Sequence, residues 1–407
     1  MMTGESYHYK SRKTMIGLFN ECFPPVMDGV SLTVQNYARE LHRQGHQVSV
    51  VTPYEPGLRS EAYPYAVYSY FSVPVPMRHP YRCGLPFFDF SYQHAIESVP
   101  FDIVHAHSPF SSGKEALRRS RRLGVPMVAT FHSKYRDDFS RVIQNDKIVD
   151  HIIRQIVLFY ESADEVWIPQ ESVGETLRSY GYRGQMTVVD NGSEFSGAPC
   201  SPSARRHARR MLLVEDDEPI LLFVGQHIWE KNVKLIIEAL AQIRDLRWQM
   251  YFVGDGYARE AMMRLCACHG LYGNDDCRKD RVSFLGTIHD RQLLQDIYLA
   301  ADLFLFPSMY DNAPLVLREA AALYTPALVL RHSNTSEVIT DGVNGFLADN
   351  DATAYARRLR YLLTCPSLIH AAADKASHTL TRSWSDIAAE VYDRYRHLVA
   401  RKQMKVG

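Results

Sequence analysis

Short apolar runs alternate with amphipathic stretches along this chain, and the alternation occurs twice. In the first array, Thr14–Asn20 reads as a strand and Val30 to Arg43 as a helix with Leu32, Tyr37, Ala38 and Leu41 on its apolar face. Gln47–Thr52 is the next strand, and further strands are expected at Ile103–Val104, Met127–Phe131, Glu165–Ile168 and Met186–Val189. Helical patterns fall over Gly113–Leu123 and from Val149 to Ala163. The second array offers strands at Ile220–Val224, Trp248–Val253, Val282–Leu285, Leu303–Phe306 and Ala327–Leu330, with a helix over Val233–Ile243. Strands that alternate with helices build βαβ units and parallel sheets. The expectation is an α/β chain of two Rossmann-like, doubly wound domains facing each other across a cleft.

The length, 407 residues, suits two domains of about 150–200 residues each. A polar, basic stretch from Ser196 to Arg210 separates the arrays. The domains expected are therefore residues 1–195, a linker at 196–215, and residues 216–380. In the last segment, 381–407, a helical pattern over Ile387–Val399 is expected to pack back on the first domain. A formal net charge of +0 disfavours a broad basic face and hence nucleic acid as a partner. No apolar run approaches the roughly 18–20 residues of a membrane span, and MMTGESYHYKSRK holds no signal-peptide core. Seven scattered cysteines give no disulfide framework, which points to reduced thiols in the cytoplasm. Cys266, Cys268, His269 and Cys277 cluster, but their spacing fits no common zinc pattern.

In open α/β sheets ligands bind beyond the carboxyl ends of the strands, so the strand-end loops are where chemistry is expected. The first ends in Asp28-Gly29-Val30-Ser31 at a helix start, where a glycine lets backbone approach a phosphate and also suits an ordinary turn. No G-x-G-x-x-G, P-loop or G-x-S-x-G pattern is present in the right context. Gly254-Asp-Gly256 reads either as a weak Rossmann start or as a tight strand-to-helix turn. In GQHIWEKN, Lys231 sits where its ammonium can reach a diphosphate, or simply water. His105, His107 and His132 follow two strands and together read as lining of a cleft, or each by itself as a hydrogen-bonded structural side chain. Residues 307–326 concentrate an acid at Asp311, a helix start marked by Pro314 at its first position, and a second acid at Glu319. Unpaired N–H groups at such a helix start favour phosphate, whereas the carboxylates suit sugar hydroxyls. The set fits a sugar–diphosphate–nucleoside better than a bare phosphate.

These motifs resemble, in order and spacing, those of the retaining glycosyltransferases of family 4, which have the GT-B fold. The likeness spans about residues 14–395. It is carried by FPPVMDGVS (23–31), HSPFSSG (107–113), TFHSKYRDDF (130–139), VDNGSEF (189–195), VGQHIWEKN (224–232), FVGDG (252–256), VSFLG (282–286), FPSMYDNAPLVLREAAA (306–322) and ITDGVNGFL (339–347). The resemblance implies a nucleotide-diphosphate sugar as donor substrate, no metal, no cofactor and retention of anomeric configuration. It puts Gly29 near the diphosphate, Lys231 as its neutralising charge, Glu319 on the ribose and Asp311 on the transferred sugar. His132 would lie near the reacting centre, with Gln226, Asn312, Ala313, Leu315 and Val316 around the donor. Asp28, His107 and Tyr135 are acceptor-side candidates.

Four residues depart from the family pattern. Asp311 replaces a longer Glu, Gln226 an Arg, Pro314 a Gly that offers an N–H, and Tyr324 a small Gly. The branch most resembled glucosylates diacylglycerol or other lipids, so the expected reaction moves glucose from UDP-glucose to a hydroxyl acceptor. Other readings are transfer to a soluble or cell-envelope glycan, and a catalytically silent sugar-nucleotide binder. A lipid acceptor would place the protein peripherally on the inner face of an anionic membrane. Arg118, Arg119, Arg121 and Arg122 are the expected contact, with a solvated helix face as the plain alternative.

Overall fold

The computed structural model of the chain describes residues 13–75, 81–273 and 280–406. They divide into two compact units. One takes the chain up to Asp190 and again from Trp384 onward, and the other runs from Asn191 to Ser383.

The first unit contains β1 (Met15–Phe19), β2 (Gln47–Pro53), β3 (Ala66–Tyr70), a short hairpin of β4 (Ser72–Pro74) and β5 (Arg82–Gly84), then β6 (Ile103–Ala106), β7 (Met127–Thr130), β8 (Glu165–Ile168) and β9 (Met186–Val188). Among the described residues its main sheet is parallel, in the order β3-β2-β1-β6-β7-β8-β9. The second unit contains β10 (Ile220–Val224), β11 (Gln249–Val253), β12 (Val282–Gly286), β13 (Leu303–Phe306), β14 (Ala327–Leu330) and β15 (Phe346–Ala348). These form a second parallel sheet, ordered β12-β11-β10-β13-β14-β15. Every residue of β10, β13 and β14 is buried, as expected of strands covered by helices on both faces.

The strand orders decide where chemistry can sit. In each unit the chain walks outward in one direction, then returns to the other side of its first strand. The loops that leave the two central strands diverge there and open a crevice. In the first unit these loops follow β1 and β6, and in the second they follow β10 and β13.

The stretch read as a linker is structured. Ser201 caps a helix over Pro202–Met211 that belongs to the second unit. Arg205 donates to the carbonyls of Leu299 and Ala301 and pairs with Asp302. Arg209, 4% exposed, reaches Ala300, Asp302, Glu215 and Glu218. The basic stretch read as a linker thus sends these two arginines to backbone carbonyl oxygens and to the Asp302 carboxylate. The final helix, Trp384–Val406, belongs to the first unit. There Trp384 packs edge-on against Tyr37, and Lys402 pairs with Asp164 at 2.8 Å.

Strands β3 and β15 and the hairpin had no clear sequence signal. The first is only partly buried and the others are three residues long. Cys266 is a core residue whose thiol burial pushes up to about 12, whereas Cys268 is exposed; Cys277 lies outside the described residues. Among the described residues no helix is long and apolar enough to cross a membrane.

Candidate active site

At the switch point of the second unit, the loop after β10 meets the loop after β13. Lys231 closes a short 3-10 turn over Trp229–Lys231, and its Nζ donates to Asp311 Oδ1 at 2.8 Å. Both side chains are mostly buried, and Nζ also lies 5.5 Å from the centre of the Phe306 ring. Asp311 Oδ2 is buried with no hydrogen-bond partner. A carboxylate oxygen left unpaired beside an ammonium is a ready acceptor for a hydroxyl donor. Ser308, fully buried, shapes the loop by accepting from the N–H groups of Tyr310 and Asp311, both at 3.2 Å.

Asn312 accepts from Asn334 at 2.8 Å, and the Ala313 carbonyl accepts from Asn191 at 3.1 Å. Pro314 stands one place before the expected position: its extended ψ of 130° makes it the cap, and the helix runs Leu315–Ala322. The first N–H groups without intrahelical partners are therefore those of Leu315 and Val316.

Glu319 is buried, and each of its oxygens is engaged: Oε1 accepts from Arg291 at 2.7 Å and Oε2 from the Tyr298 hydroxyl at 3.1 Å. Arg291 also pairs with Glu194 at 2.8 Å and lies over the Phe195 ring. The sequence suggested a carboxylate open to ribose, whereas the structure embeds it in a network. A carboxylate has about four lone-pair sites, so acceptor capacity remains.

Gln226 is exposed at the start of the same loop. Behind it, His227 is fully buried among Phe223, Phe252 and Phe284, and neither ring nitrogen has a hydrogen-bond partner. Burial lowers its pKa to about 4. Gly254 and Gly256 support this loop from below. A Cβ at Gly254 would lie 2.0 Å from the Gly225 carbonyl oxygen, and one at Gly256 2.5 Å from that of His227. The G-x-G is thus a close backbone packing.

In the first unit, the loop after β1 holds Glu21, Asp28 and Gly29. Glu21 accepts from the hydroxyl and N–H of Ser112 at 2.9 and 3.0 Å and from the Ser111 hydroxyl at 2.5 Å. Burial raises its pKa against those bonds. It ties the β1 loop to the helix Ser111–Leu123 after β6. Its place two residues past a strand end is the one sequence signal that marks it. Asp28 is a helix cap: Oδ1 accepts from the Ser31 N–H at 2.7 Å and Oδ2 from the Cys22 thiol at 3.1 Å. Gly29 is exposed at the first helical position, and a Cβ there would meet nothing within 4 Å.

His107 and His132 come together: Nδ1 of the first lies 3.1 Å from Nε2 of the second, with the rings stacked. His107 Nε2 is buried and unpartnered. Burial holds His107 well below the usual imidazole range and His132 down to about 4, so both are neutral at physiological pH. His105, also held low by burial, sits behind them between the Tyr395 hydroxyl (2.6 Å) and Thr130 (2.7 Å). Tyr135 is not at an open surface. As the first residue of the helix Tyr135–Ser140 it turns into a cluster with Phe110 and Phe131 and is 7% exposed.

The arginine cluster does not form the basic face expected. Arg119 is fully buried, with Nη2 pointing at the carbonyls of Glu97 and Val99 at 3.4 Å. Arg118 is held by Glu115 and Gln93, and Arg122 by Glu97. Of the four, Arg121 alone is exposed without a partner among the described residues.

The sheet orders and loop positions match a known group. A family model described as Glycosyltransferase Family 4 matches residues 27–194, and one described as Glycosyl transferases group 1 matches residues 204–379. The chain belongs to the family 4 glycosyltransferases.

An alpha-monoglucosyldiacylglycerol synthase of Streptococcus pneumoniae is 24% identical, over 94% of this chain and 84% of the relative. A sulfoquinovosyl transferase of Arabidopsis thaliana is 27% identical, over 87% of this chain and 67% of the relative. The fold of this glycosyltransferase is GT-B. Sucrose-phosphate synthase of Thermosynechococcus elongatus superposes with a TM-score of 0.78 at 21% identity, covering 96% of this chain and 100% of that one. Anabaena HepE in complex with UDP-glucose gives 0.73 at 17% identity, covering 95% and 100%.

Proposed function

We propose that this glycosyltransferase moves a hexose from a nucleoside-diphosphate donor to a lipid hydroxyl, with glucose from UDP-glucose and a diacylglycerol-type acceptor as the specific pair. The observation that carries the donor half is the Lys231–Asp311 pair at the second switch point. In this reading the ammonium screens the negative charge that gathers on the leaving diphosphate as the bond from C1 to its oxygen breaks. Asp311 Oδ2 takes a hydroxyl of the transferred sugar, and the N–H groups of Leu315 and Val316 take phosphate oxygens. Glu319, held by Arg291, accepts from the ribose. The acceptor oxygen then bonds to C1, and its proton leaves with the phosphate.

Transfer proceeds with retention and without a metal. Gly29 leaves open backbone for the diphosphate, and neutral His132 hydrogen-bonds a sugar hydroxyl without adding charge. The names of the Streptococcus relative and of the UDP-glucose complex support this choice of acceptor and donor. Attachment to the inner face of a membrane is part of the same proposal.

The test is incubation with UDP-glucose and diacylglycerol in mixed micelles, or with soluble glycans, reading released UDP and the anomeric signal of the product. An α-glucosyl lipid supports the proposal. A product only on soluble glycans removes the lipid acceptor, and UDP-glucose binding without turnover leaves a silent sugar-nucleotide binder.

A further inference from the structure

Among the described residues of the first unit, a cluster of large apolar side chains stands exposed on and after the β4–β5 hairpin. Phe87, Phe88 and Phe90 are 81%, 68% and 84% exposed. Phenylalanine is ordinarily a core residue, and three so exposed within four positions are not the scattered single hydrophobes of a normal surface. Phe71, Val73 and Tyr81, on and beside the β4–β5 hairpin, are also exposed. The segments adjoin, because the Leu85 N–H donates to the Phe71 carbonyl at 2.8 Å and the Phe71 N–H to Asp89 at 3.0 Å.

The rings stand on a fixed base. Pro86 opens a 3-10 turn over Pro86–Phe88, and Phe88 donates back to Leu85 at 3.1 Å. Asp89, the acid among the phenylalanines, is turned to local use: Oδ1 caps the helix Phe90–Glu97 through the Tyr92 N–H, and Oδ2 takes Phe71. Gln93 binds the Pro86 carbonyl at 2.9 Å and is itself bound by Arg118 at 2.8 Å. Tyr92–Glu115 and Glu97–Arg122 complete the attachment to the helix Ser111–Leu123. That helix presents Lys114 and Arg121 as exposed cations, while Arg118 and Arg122 are already matched by acids.

We propose that Phe87, Phe88 and Phe90, flanked by Phe71, Val73 and Tyr81, are a lipid-facing contact that seats the first unit on a bilayer. The proposal rests on the lipid-acceptor reading above. A rigid aromatic turn beside a few unmatched cations suits an anionic interface, where rings enter the headgroup–acyl boundary and lysine or arginine stays in water. Binding here is driven by apolar burial more than by charge, the reverse of what the arginine run suggests in the sequence. The contact is continuous with the acceptor-side loop. Gly84 of the hairpin lies so close to Ser111 that a Cβ would sit 2.4 Å from its hydroxyl, and Ser111 is held by Glu21.

The test uses the full chain with vesicles of phosphatidylcholine alone and of phosphatidylcholine mixed with phosphatidylglycerol, each at low salt and at about 0.5 M salt, where screening reaches within a few ångströms. Wild type is expected to co-sediment with both and to keep most of its binding at high salt. The triple variant Phe87→Ser/Phe88→Ser/Phe90→Ser should lose about 100-fold or more in partitioning. Lys114→Gln/Arg121→Gln should lose only about 5-fold per charge, and only on the anionic vesicles.

Transfer to a soluble short-chain diacylglycerol is measured in parallel and should be unchanged in the triple variant, which also certifies its fold. Equal vesicle binding by the triple variant and wild type overturns the proposal, as does a wild type that ignores both vesicles. A wild-type dimer that the triple variant turns into a monomer assigns the patch to a second copy instead. If vesicles bind through the phenylalanines but only water-soluble glycans are glycosylated, the lipid acceptor fails and the contact stands. If lipid is glycosylated without vesicle binding, the contact alone fails.

Discussion

The two switch points share a topology and differ in charge. In the first unit the loops after β1, β6 and β7 gather titratable groups that are kept neutral or hydrogen-bonded: the His107–His132 pair, and Glu21 on two serines, with His105 of β6 behind the histidines. In the second, the loops after β10 and β13 hold an ion pair with one carboxylate oxygen left over. One arrangement offers neutral hydrogen-bonding groups suited to hydroxyls, and the other an ammonium–carboxylate pair with a cationic end for phosphate and a free acceptor for a hydroxyl. A parallel sheet thus sets where a site opens, and the side chains set what it accepts.

The largest effect expected is at Lys231. Removing one electrostatic donor to developing charge costs about 10²–10³ in rate. Lys231→Ala should therefore lower kcat by that factor, and it also strands Asp311 in a buried position. A variant within about twofold of wild type in steady-state transfer from UDP-glucose would put the ammonium outside the chemistry.

Glu319→Ala should weaken UDP and UDP-glucose alike by about 1.5–3 kcal/mol, as for hydrogen bonds to a charged group. Asp311→Ala should spare UDP and weaken only the sugar-bearing donor. Calorimetry that returns the opposite pattern exchanges the two roles.

The histidines make the contrast visible to pH. Folded pKa values below the unfolded value mean that the unfolded chain binds more protons, so stability is full above about 6.5 and falls with decreasing pH. For His132 and His227 the loss continues down to about 4, and His105 and His107 act in the same direction. Thermal unfolding followed from pH 7.5 to 4.5 should show Tm dropping below about 6.5, and His107→Gln should flatten the slope. A flat Tm across that range would mean that these rings are not held neutral by burial.

The smallest effect concerns His227. A buried ring with both nitrogens unpartnered is costly, and an apolar residue of similar size removes the cost. His227→Leu should raise stability by about 1–2 kcal/mol at neutral pH and by more at pH 5. Equal or lower stability at both pH values would mean that the nitrogens find partners.

Much of the fold was legible because period and length are local. Ile220–Val224, Leu303–Phe306 and Glu165–Ile168 are strands over the residues read as strands. The helix at Pro202–Met211 was not, since its polarity is satisfied by distant carbonyls that no local pattern reveals. The candidate site was legible by loop: Lys231, Asp311, His107 and His132 all follow strands. Tyr135 and the arginine run misled for the opposite reason. A tyrosine or arginine in sequence carries no sign of whether its polar end meets water or protein; burial decided Tyr135 and Arg119, and pairing with acids decided Arg118 and Arg122.

What the sequence determined by itself was therefore the alternation of strand and helix, the two arrays, and the strand-end loops that carry chemistry, since each depends on residues within one turn or one strand of each other. Tertiary structure alone decided that Lys231 meets Asp311 across 80 positions, that Arg291 and Tyr298 take the two oxygens of Glu319, and that three phenylalanines stay outside the core. Those outcomes follow from strand order, which brings loops together regardless of their separation along the chain. The exposed phenylalanines instead run against solvent exclusion, which acts on the packed surface and not on the local pattern.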